Sequence, residues 1–302
     1  MPKTSTITVA CALCVGEVPE RYLGAALAAI SDAVDVLVVN DNSGRSRSAN
    51  VETLEQSAFA ARGALHIERH AFRDFADMRN AAFKQLKALA TPPDWVLFLD
   101  ADEVHGEQVR YIAREILPRL GARIGSVDAY TYNFFGSYRW ITEVARRFMF
   151  YRYSPGLFWV NPIHEKITGL RGDALVLPYV YHHYGNVVPP GLLARKHGKY
   201  FDLGNRVPRP TSEAQANANV FFAETRRVRP YAGAHPRNAG SILARLEREW
   251  AAEFAVIDAG FRSRRTLLMR LAASARAFNE DARVRLRYLE HPLAYRATNS
   301  AR

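Results

Sequence analysis

Three carboxylates follow directly on an apolar run in Val96-Leu97-Phe98-Leu99-Asp100-Ala101-Asp102-Glu103. In extended chain the side chains at i and i+2 share a face, so Asp100 and Asp102 are expected to converge while Ala101 points away. Two such charges about 6 Å apart repel by about 3 kcal/mol at an effective dielectric of 20. A divalent cation removes that cost, and a site of converging carboxylates suits Mg²⁺ or Mn²⁺, commonly shared with the phosphates of a substrate. The alternative reading of these residues is a solvated acidic turn that ends a strand. The other spacing with chemical content is Cys11-x-x-Cys14, the only two cysteines. No second C-x-x-C or paired histidine motif accompanies them, and they lie in an apolar run, so they read as small buried hydrophobes rather than a redox or zinc motif.

The elements that would position the acidic cluster follow from periodicity. A continuous apolar run bounded by Pro92, Pro93 and Asp94 predicts a strand over 95–99, buried on both faces of a parallel sheet. Similar runs predict strands at 7–15, 34–39 and 65–68, and helical spacing predicts helices at 22–30, 74–89 and 105–120, the last interrupted by Pro118. The β-α-β-α order implies an α/β domain with a right-handed, mostly parallel sheet flanked by helices. Ligands bind such sheets outside the carboxyl ends of the strands, where the acidic cluster falls. Beyond residue 125 aromatic-rich strands are expected at 127–135, 147–153, 159–167 and 175–183. A helical region follows from about 190, with amphipathic segments at 240–257 and 264–278.

With 302 residues and 48% hydrophobic residues, the chain is long enough for one large core with an extension, or for two domains. Two cysteines do not make a disulfide framework, which suits a reducing compartment. No signal peptide and no transmembrane stretch is read from the sequence, so a cytoplasmic protein is expected, with peripheral contact at the inner membrane face as a variant. The net charge of +11 is uneven: −2 over residues 1–100, +5 over 101–200 and +8 over 201–302, where all 18 basic residues are arginine. That tail is expected to meet a nucleic acid, an anionic membrane surface or an acidic partner, or else to be an ordinary solvated face rich in arginine.

No G-x-G-x-x-G follows an early strand, and no phosphate-binding G-K-[ST] or G-x-S-x-G elbow occurs. A dinucleotide-binding dehydrogenase, a P-loop NTPase and an α/β-hydrolase are therefore disfavoured. Five segments in order resemble instead the family 2 glycosyltransferases, which have the GT-A nucleotide-sugar fold. They are ITVACALCVGEVPERYLGAALAAI, VLVVNDNSG, DFADMRNAAF, WVLFLDADE and RRFMFYRYSPGLFWVNPIHEKITG, followed by HHYG at 182–185. The resemblance covers about residues 5–200. It implies a GT-A glycosyltransferase domain over 1–190, with a nucleotide-sugar half at 1–125 and an acceptor half at 126–190. Residues 191–302 would form a helical, arginine-rich region.

What the resemblance implies about chemistry is an inverting, metal-dependent transfer of a sugar from a nucleotide-sugar, most simply a UDP-sugar, to an acceptor hydroxyl. The acceptor would be a glycan, a lipid-linked glycan, a protein or a modified base in DNA. Asp102 would ligate Mn²⁺ or Mg²⁺, with Asp100 on the ribose and in the metal shell, and His183 completing the coordination. His182 faces the other way on a strand, so one of the two would serve. Asn40 and Asp41 would hold the nucleoside, and Arg79 and Asn80 the phosphates or the Asp-rich loop. Cys11, Ala12 and Ala101 would line the donor. Glu165, from the His164-Glu165 pair, would be the general base, with Glu103 in reserve. Tyr138, Trp140 and Trp159 would form an aromatic acceptor platform, or else pack in the core. The competing readings are a nucleotidyltransferase, which would open with a Gly-rich basic loop that VGEVPERY lacks, and a non-enzymatic nucleic-acid-binding protein acting through the basic tail.

Overall fold

The computed structural model describes residues 7–44, 48–189, 192–193, 227–264 and 267–290. The first half of the chain alternates strands β1 (Val9–Val15), β2 (Val36–Asp41), β3 (Leu65–Arg69) and β4 (Trp95–Phe98) with helices α1 (Leu23–Ile30), α2 (Ala49–Glu55), α3 (Ala58–Ala61) and α4 (Phe75–Ala88). β1 pairs in parallel with both β2 and β4, and β2 pairs in parallel with β3, so this part of the sheet runs β3-β2-β1-β4.

Side-chain alternation along β1 decides what lies on each face. Val9, Cys11, Leu13 and Val15 enter one core with Leu23, Leu27 and Ile30 of α1. The small Ala10 and Ala12 enter the opposite core, against Ala82, Phe83 and Leu86 of α4. α4 begins at Asp74, whose carboxylate accepts from the Asp77 amide at 2.8 Å and satisfies a backbone donor that the helix leaves open.

The chain then forms β5 (Glu103–Val104), the single-turn helix α5 (Gln108–Tyr111), a π-helical turn (Ile112–Ile116) and a 3₁₀ turn (Leu117–Arg119). The expected helix over 105–120 is thus three short pieces. Pro118 has no N–H to continue an α-helix, and the turns change type as they approach it. His105 is not helical: its Nδ1 lies 3.1 Å from the Tyr179 hydroxyl, and its ring stacks on Tyr181.

Long strands β6 (Ile124–Phe135) and β7 (Ser137–Arg152) form a hairpin at Gly136, which adopts φ 72°, a conformation that favours glycine. β7 is antiparallel to both β4 and β6, which joins the hairpin to the parallel strands. β10 (Asp173–Asn186) pairs in parallel with β6, and β5 pairs antiparallel with β10. The sheet therefore continues β4-β7-β6-β10-β5, with β11 (Arg229–Pro230) on β7.

The strand expected over 159–167 is instead two short strands, β8 (Phe158–Val160) and β9 (Lys166–Thr168), forming a separate antiparallel pair. Between them Asn161 (φ 73°) and His164 (φ 52°) adopt left-handed backbone conformations that reverse the chain. The amphipathic segment over 240–257 is α6 (Gly240–Glu249) and α7 (Ala251–Arg264), separated at Trp250. Its apolar stripe is nonetheless buried: Ile242, Leu243, Leu246, Trp250 and Phe254 share a core with Tyr22, Phe134, Trp140 and Tyr184. Helix α8 (Leu267–Glu290) follows. Residues 194–226, assigned above to the helical arginine-rich region, lie outside the described residues. Among the described residues no helix is long and apolar enough to cross a membrane.

Candidate active site

The acidic cluster sits at the carboxyl ends of the parallel strands, and it is a turn rather than extended chain. The Asp100 amide donates to Glu103 Oε2 at 3.1 Å, and the Glu103 amide donates to the Asp100 carbonyl at 3.0 Å. The Tyr184 amide fixes the turn to β10 by donating to the Asp102 carbonyl at 2.9 Å. This closure corrects the expectation that Asp100 and Asp102 converge on one point. Asp100 Oδ1 accepts from Arg79 at 2.9 Å, whereas Asp102 Oδ1 lies 3.3 Å from His183 Nε2. Among the described residues no group of three His, Cys, Asp or Glu side chains is placed to hold a metal ion by itself. Asp100 is thus paired with Arg79, while Asp102 stands beside His183.

Glu103 is fully buried, so it has no surface with which to reach an acceptor, and its reserve role as a base is corrected on that ground. Burial, reinforced by the Asp100 charge, raises its carboxyl to about 7, against the lowering influence of His183 and Arg147. Its contribution is to close the turn.

Arg79, on α4, is the hub of the neighbouring network. Its Nε donates to Glu165 Oε1 at 2.7 Å and its Nη2 donates to Asp100. Its guanidinium lies 4.5 Å from the Phe98 ring centroid and 5.1 Å from that of Trp159. Burial alone would disfavour the charged guanidinium. The Asp100 and Glu165 carboxylates outweigh it and hold Arg79 protonated. Glu165 is thereby placed just before β9, with one carboxylate oxygen held and the side chain still partly accessible.

His183 and His182 take opposite faces of β10. His183 Nδ1 lies 2.9 Å from Asn133 Oδ1 on β6, and Asn133 Nδ2 donates to Glu143 Oε1 on β7 at 3.2 Å. His182 enters an aromatic cluster, stacked on Phe134 with Nε2 2.8 Å from the Tyr231 hydroxyl, and burial lowers it to about 3.

Several expected donor contacts are engaged elsewhere. Asn40 is buried, its Nδ2 donating to the Met78 carbonyl at 2.9 Å and its Oδ1 accepting from the His70 amide at 3.1 Å. Asn80 holds both backbone polar groups of Trp159, at 2.9 and 2.8 Å. Both asparagines act as braces between segments rather than as nucleotide ligands. Cys11 has no exposed surface, and burial raises its thiol well above its usual range, so it belongs to the core. Ala12 and Ala101 bury their methyl groups in opposite cores, which leaves only their backbone to a ligand. Asp41 ends β2, and its Oδ1 accepts from the Ser43 amide at 3.1 Å, turning the chain over the end of the strand.

The aromatic platform is not formed. Trp159 packs among Phe83, Phe98 and Phe148, and Trp140 Nε1 donates to Asp258 at 2.8 Å. The Tyr138 hydroxyl bonds to Glu247. Residues the sequence reading missed include Asn50, whose amide pins the β1–α1 loop through Glu20 N and the carbonyls of Gly16 and Val18. Asn50 looks like any polar residue on a helix. Asn133 carried a visible signal: a lone amide within the aromatic strand YTYNFF must find partners if buried.

The donor set fits a hard divalent ion. A carboxylate oxygen and an imidazole nitrogen 3.3 Å apart are near the roughly 3 Å separation of adjacent ligands on an octahedral ion with bonds of about 2.1 Å. Two protein ligands are also what Mg²⁺-type sites use when substrate phosphates supply the rest.

No family model matches the chain, and no curated protein matches it. Among solved structures it is similar to glucosyl-3-phosphoglycerate synthase from Mycobacterium tuberculosis. Against the complex with Mn²⁺, UDP and glucosyl-3-phosphoglycerate the identity is 20% and the TM-score 0.30, over 42% of this chain and 45% of that one. Against the complex with Mn²⁺ and UDP-glucose the identity is 21% and the TM-score 0.29, again over 42% and 45%. The chain thus spans less than half the length of these proteins, and a likeness of that extent carries no argument about their ligands.

Proposed function

We propose that this chain is a metal-dependent glycosyltransferase of the GT-A type, moving a sugar from a nucleotide-sugar to an acceptor hydroxyl. The observation that carries the reading is the 3.3 Å approach of His183 to Asp102 at the carboxyl edge of the parallel strands. The motifs NDNSG, MRN, DADE and PIHE occur in that order along the chain and favour the same reading. Asp102 and His183 would hold Mn²⁺ or Mg²⁺. The bound ion would neutralise the diphosphate that departs as the anomeric carbon gains positive charge.

The chain's own residues supply the remainder. Asp41, buried at the end of β2, shapes the strand end over which α/β sheets take nucleosides by accepting from the Ser43 amide. Arg79 fixes Glu165 and Asp100 relative to each other. Glu165 takes the proton of the acceptor hydroxyl as its oxygen forms the new bond to the anomeric carbon. The bond from that carbon to the diphosphate breaks, and the nucleoside diphosphate leaves with the electron pair. The test is a panel of nucleotide-sugars with Mn²⁺, read by thermal shift and donor hydrolysis. A UDP-sugar response that EDTA and Asp102→Ala both abolish supports the reading; no nucleotide response under any metal condition sinks it.

A further inference from the structure

Four side chains stand in one row across four strands. Glu143 on β7 is the register partner of Asn133 on β6, Asn133 is the partner of His183 on β10, and His183 is the partner of Glu103 on β5. Register partners share a face of the sheet, which places these groups side by side. We propose that Asn133 and Glu143 are positioning residues that set the tautomer and aim of His183 for a divalent cation. This inference rests on the metal-dependent reading above.

Asn133 Nδ2 donates to the Glu143 carboxylate, an acceptor, at 3.2 Å, so the Asn133 group facing Glu143 is the NH₂. The Asn133 carbonyl oxygen then faces His183 Nδ1 at 2.9 Å and only accepts, so Nδ1 carries the hydrogen. A flipped amide would set oxygen against carboxylate on one side. The orientation of Asn133 is therefore dictated by Glu143 and not by the ring it serves. In the neutral ring, with Nδ1 carrying the hydrogen, the lone pair belongs to Nε2, the nitrogen 3.3 Å from Asp102 Oδ1. In that tautomer Nε2 and Asp102 Oδ1 are two electron-pair donors 3.3 Å apart, which one cation can bridge. Metal-bound histidines commonly donate their other N–H to such an acceptor, which fixes the ring and raises its basicity.

Asn133 is buried and Glu143 is exposed, so Asn133 bears most of the effect and water replaces part of what Glu143 does. The arrangement also explains an amide at 133, between Tyr132 and Phe134 in the aromatic end of β6.

The experiment measures Mn²⁺ affinity in the presence of UDP by electron paramagnetic resonance, together with the His183 tautomer by ¹⁵N NMR of the metal-free protein. Asn133→Leu is expected to weaken Mn²⁺ by about 10- to 100-fold and to lose the Nδ1-H signature. Glu143→Gln alone is expected to weaken it less. The exchanged pair Asn133→Asp with Glu143→Gln restores an acceptor facing Nδ1 and a donor facing that acceptor. It is expected to recover most of the affinity and the Nδ1-H signature, which a merely structural loss would not allow. Folded Asn133→Leu that binds Mn²⁺ as tightly as wild type overturns the proposal, as does an exchanged pair that folds and does not recover. If wild type binds no Mn²⁺, the metal-dependent reading fails. The tautomer then still decides whether Asn133 sets the ring: a His183 with Nδ1 bare in wild type overturns that part too.

Discussion

Arg79 Nε donates to Glu165 Oε1 at 2.7 Å, a contact that joins residues 86 positions apart and ties helix α4 to the loop before β9. The same guanidinium holds Asp100 at the end of β4, so one buried cation sets the spacing between the acidic turn and the proposed base. Removing it leaves two carboxylates facing each other without their counter-charge. Arg79→Met is expected to destabilise the fold by about 3 kcal/mol, read as a fall in the urea midpoint. Arg79→Lys recovers little of it, because a point charge cannot make both directed bonds and stack between Phe98 and Trp159.

Asn80 distinguishes a brace from a ligand. Both of its amide atoms bond the backbone of Trp159, so Asn80→Ala is expected to cost about 2 kcal/mol in urea denaturation. The affinity for UDP with Mn²⁺, measured at a temperature where the variant is folded, stays within about threefold of wild type. A larger loss of affinity at unchanged stability would make Asn80 a donor contact after all.

Acid should destabilise the aromatic cluster that holds His182 and His235. Burial lowers His182 to about 3 and His235 to about 4, against an ordinary value of 6.5 in the unfolded chain. Below pH 6.5 the unfolded chain takes up protons that the folded chain refuses. Stability from these groups is thus full above pH 6.5 and falls as pH drops toward 4, with a slope approaching roughly 1.4 kcal/mol per pH unit for buried His182 and a smaller one for His235, which solvent partly screens. His182→Phe keeps a ring against Phe134, while Tyr231 still donates to the Ala234 carbonyl. Its stability curve between pH 6.5 and 4 should be shallower than wild type by about one proton; an unchanged slope would show that His182 charges freely in the fold.

What the sequence disclosed, and what it hid, divides on physical lines. The runs at β1 and β4 were legible because strands buried on both faces leave no polar position to confuse the pattern. The opposite facing of His182 and His183 followed from strand alternation alone. The turn at 100–103 was hidden because its closure depends on Glu103 folding back under Asp100, and a carboxylate beside two others reads as one more exposed charge. The strand expected over 159–167 was lost at Asn161 and His164, whose left-handed conformations are set by the return of the chain toward Arg79. Asn40 and Asn80 have the right residue types for ligands. Their partners are backbone atoms distant in sequence, the Met78 carbonyl and His70 amide for one and Trp159 for the other, and residue type alone does not reveal that.

The central claim, that Asp102 and His183 hold a divalent ion that a nucleotide-sugar's phosphates share, is tested most directly by calorimetric titration of UDP into the full chain. Mn²⁺ should be required for binding, EDTA should abolish it, and Asp102→Ala should weaken it by at least about 100-fold, the direct-ligand counterpart of the 10- to 100-fold cost of losing an outer partner. UDP binding of equal strength with and without Mn²⁺, unchanged in Asp102→Ala, would contradict the account.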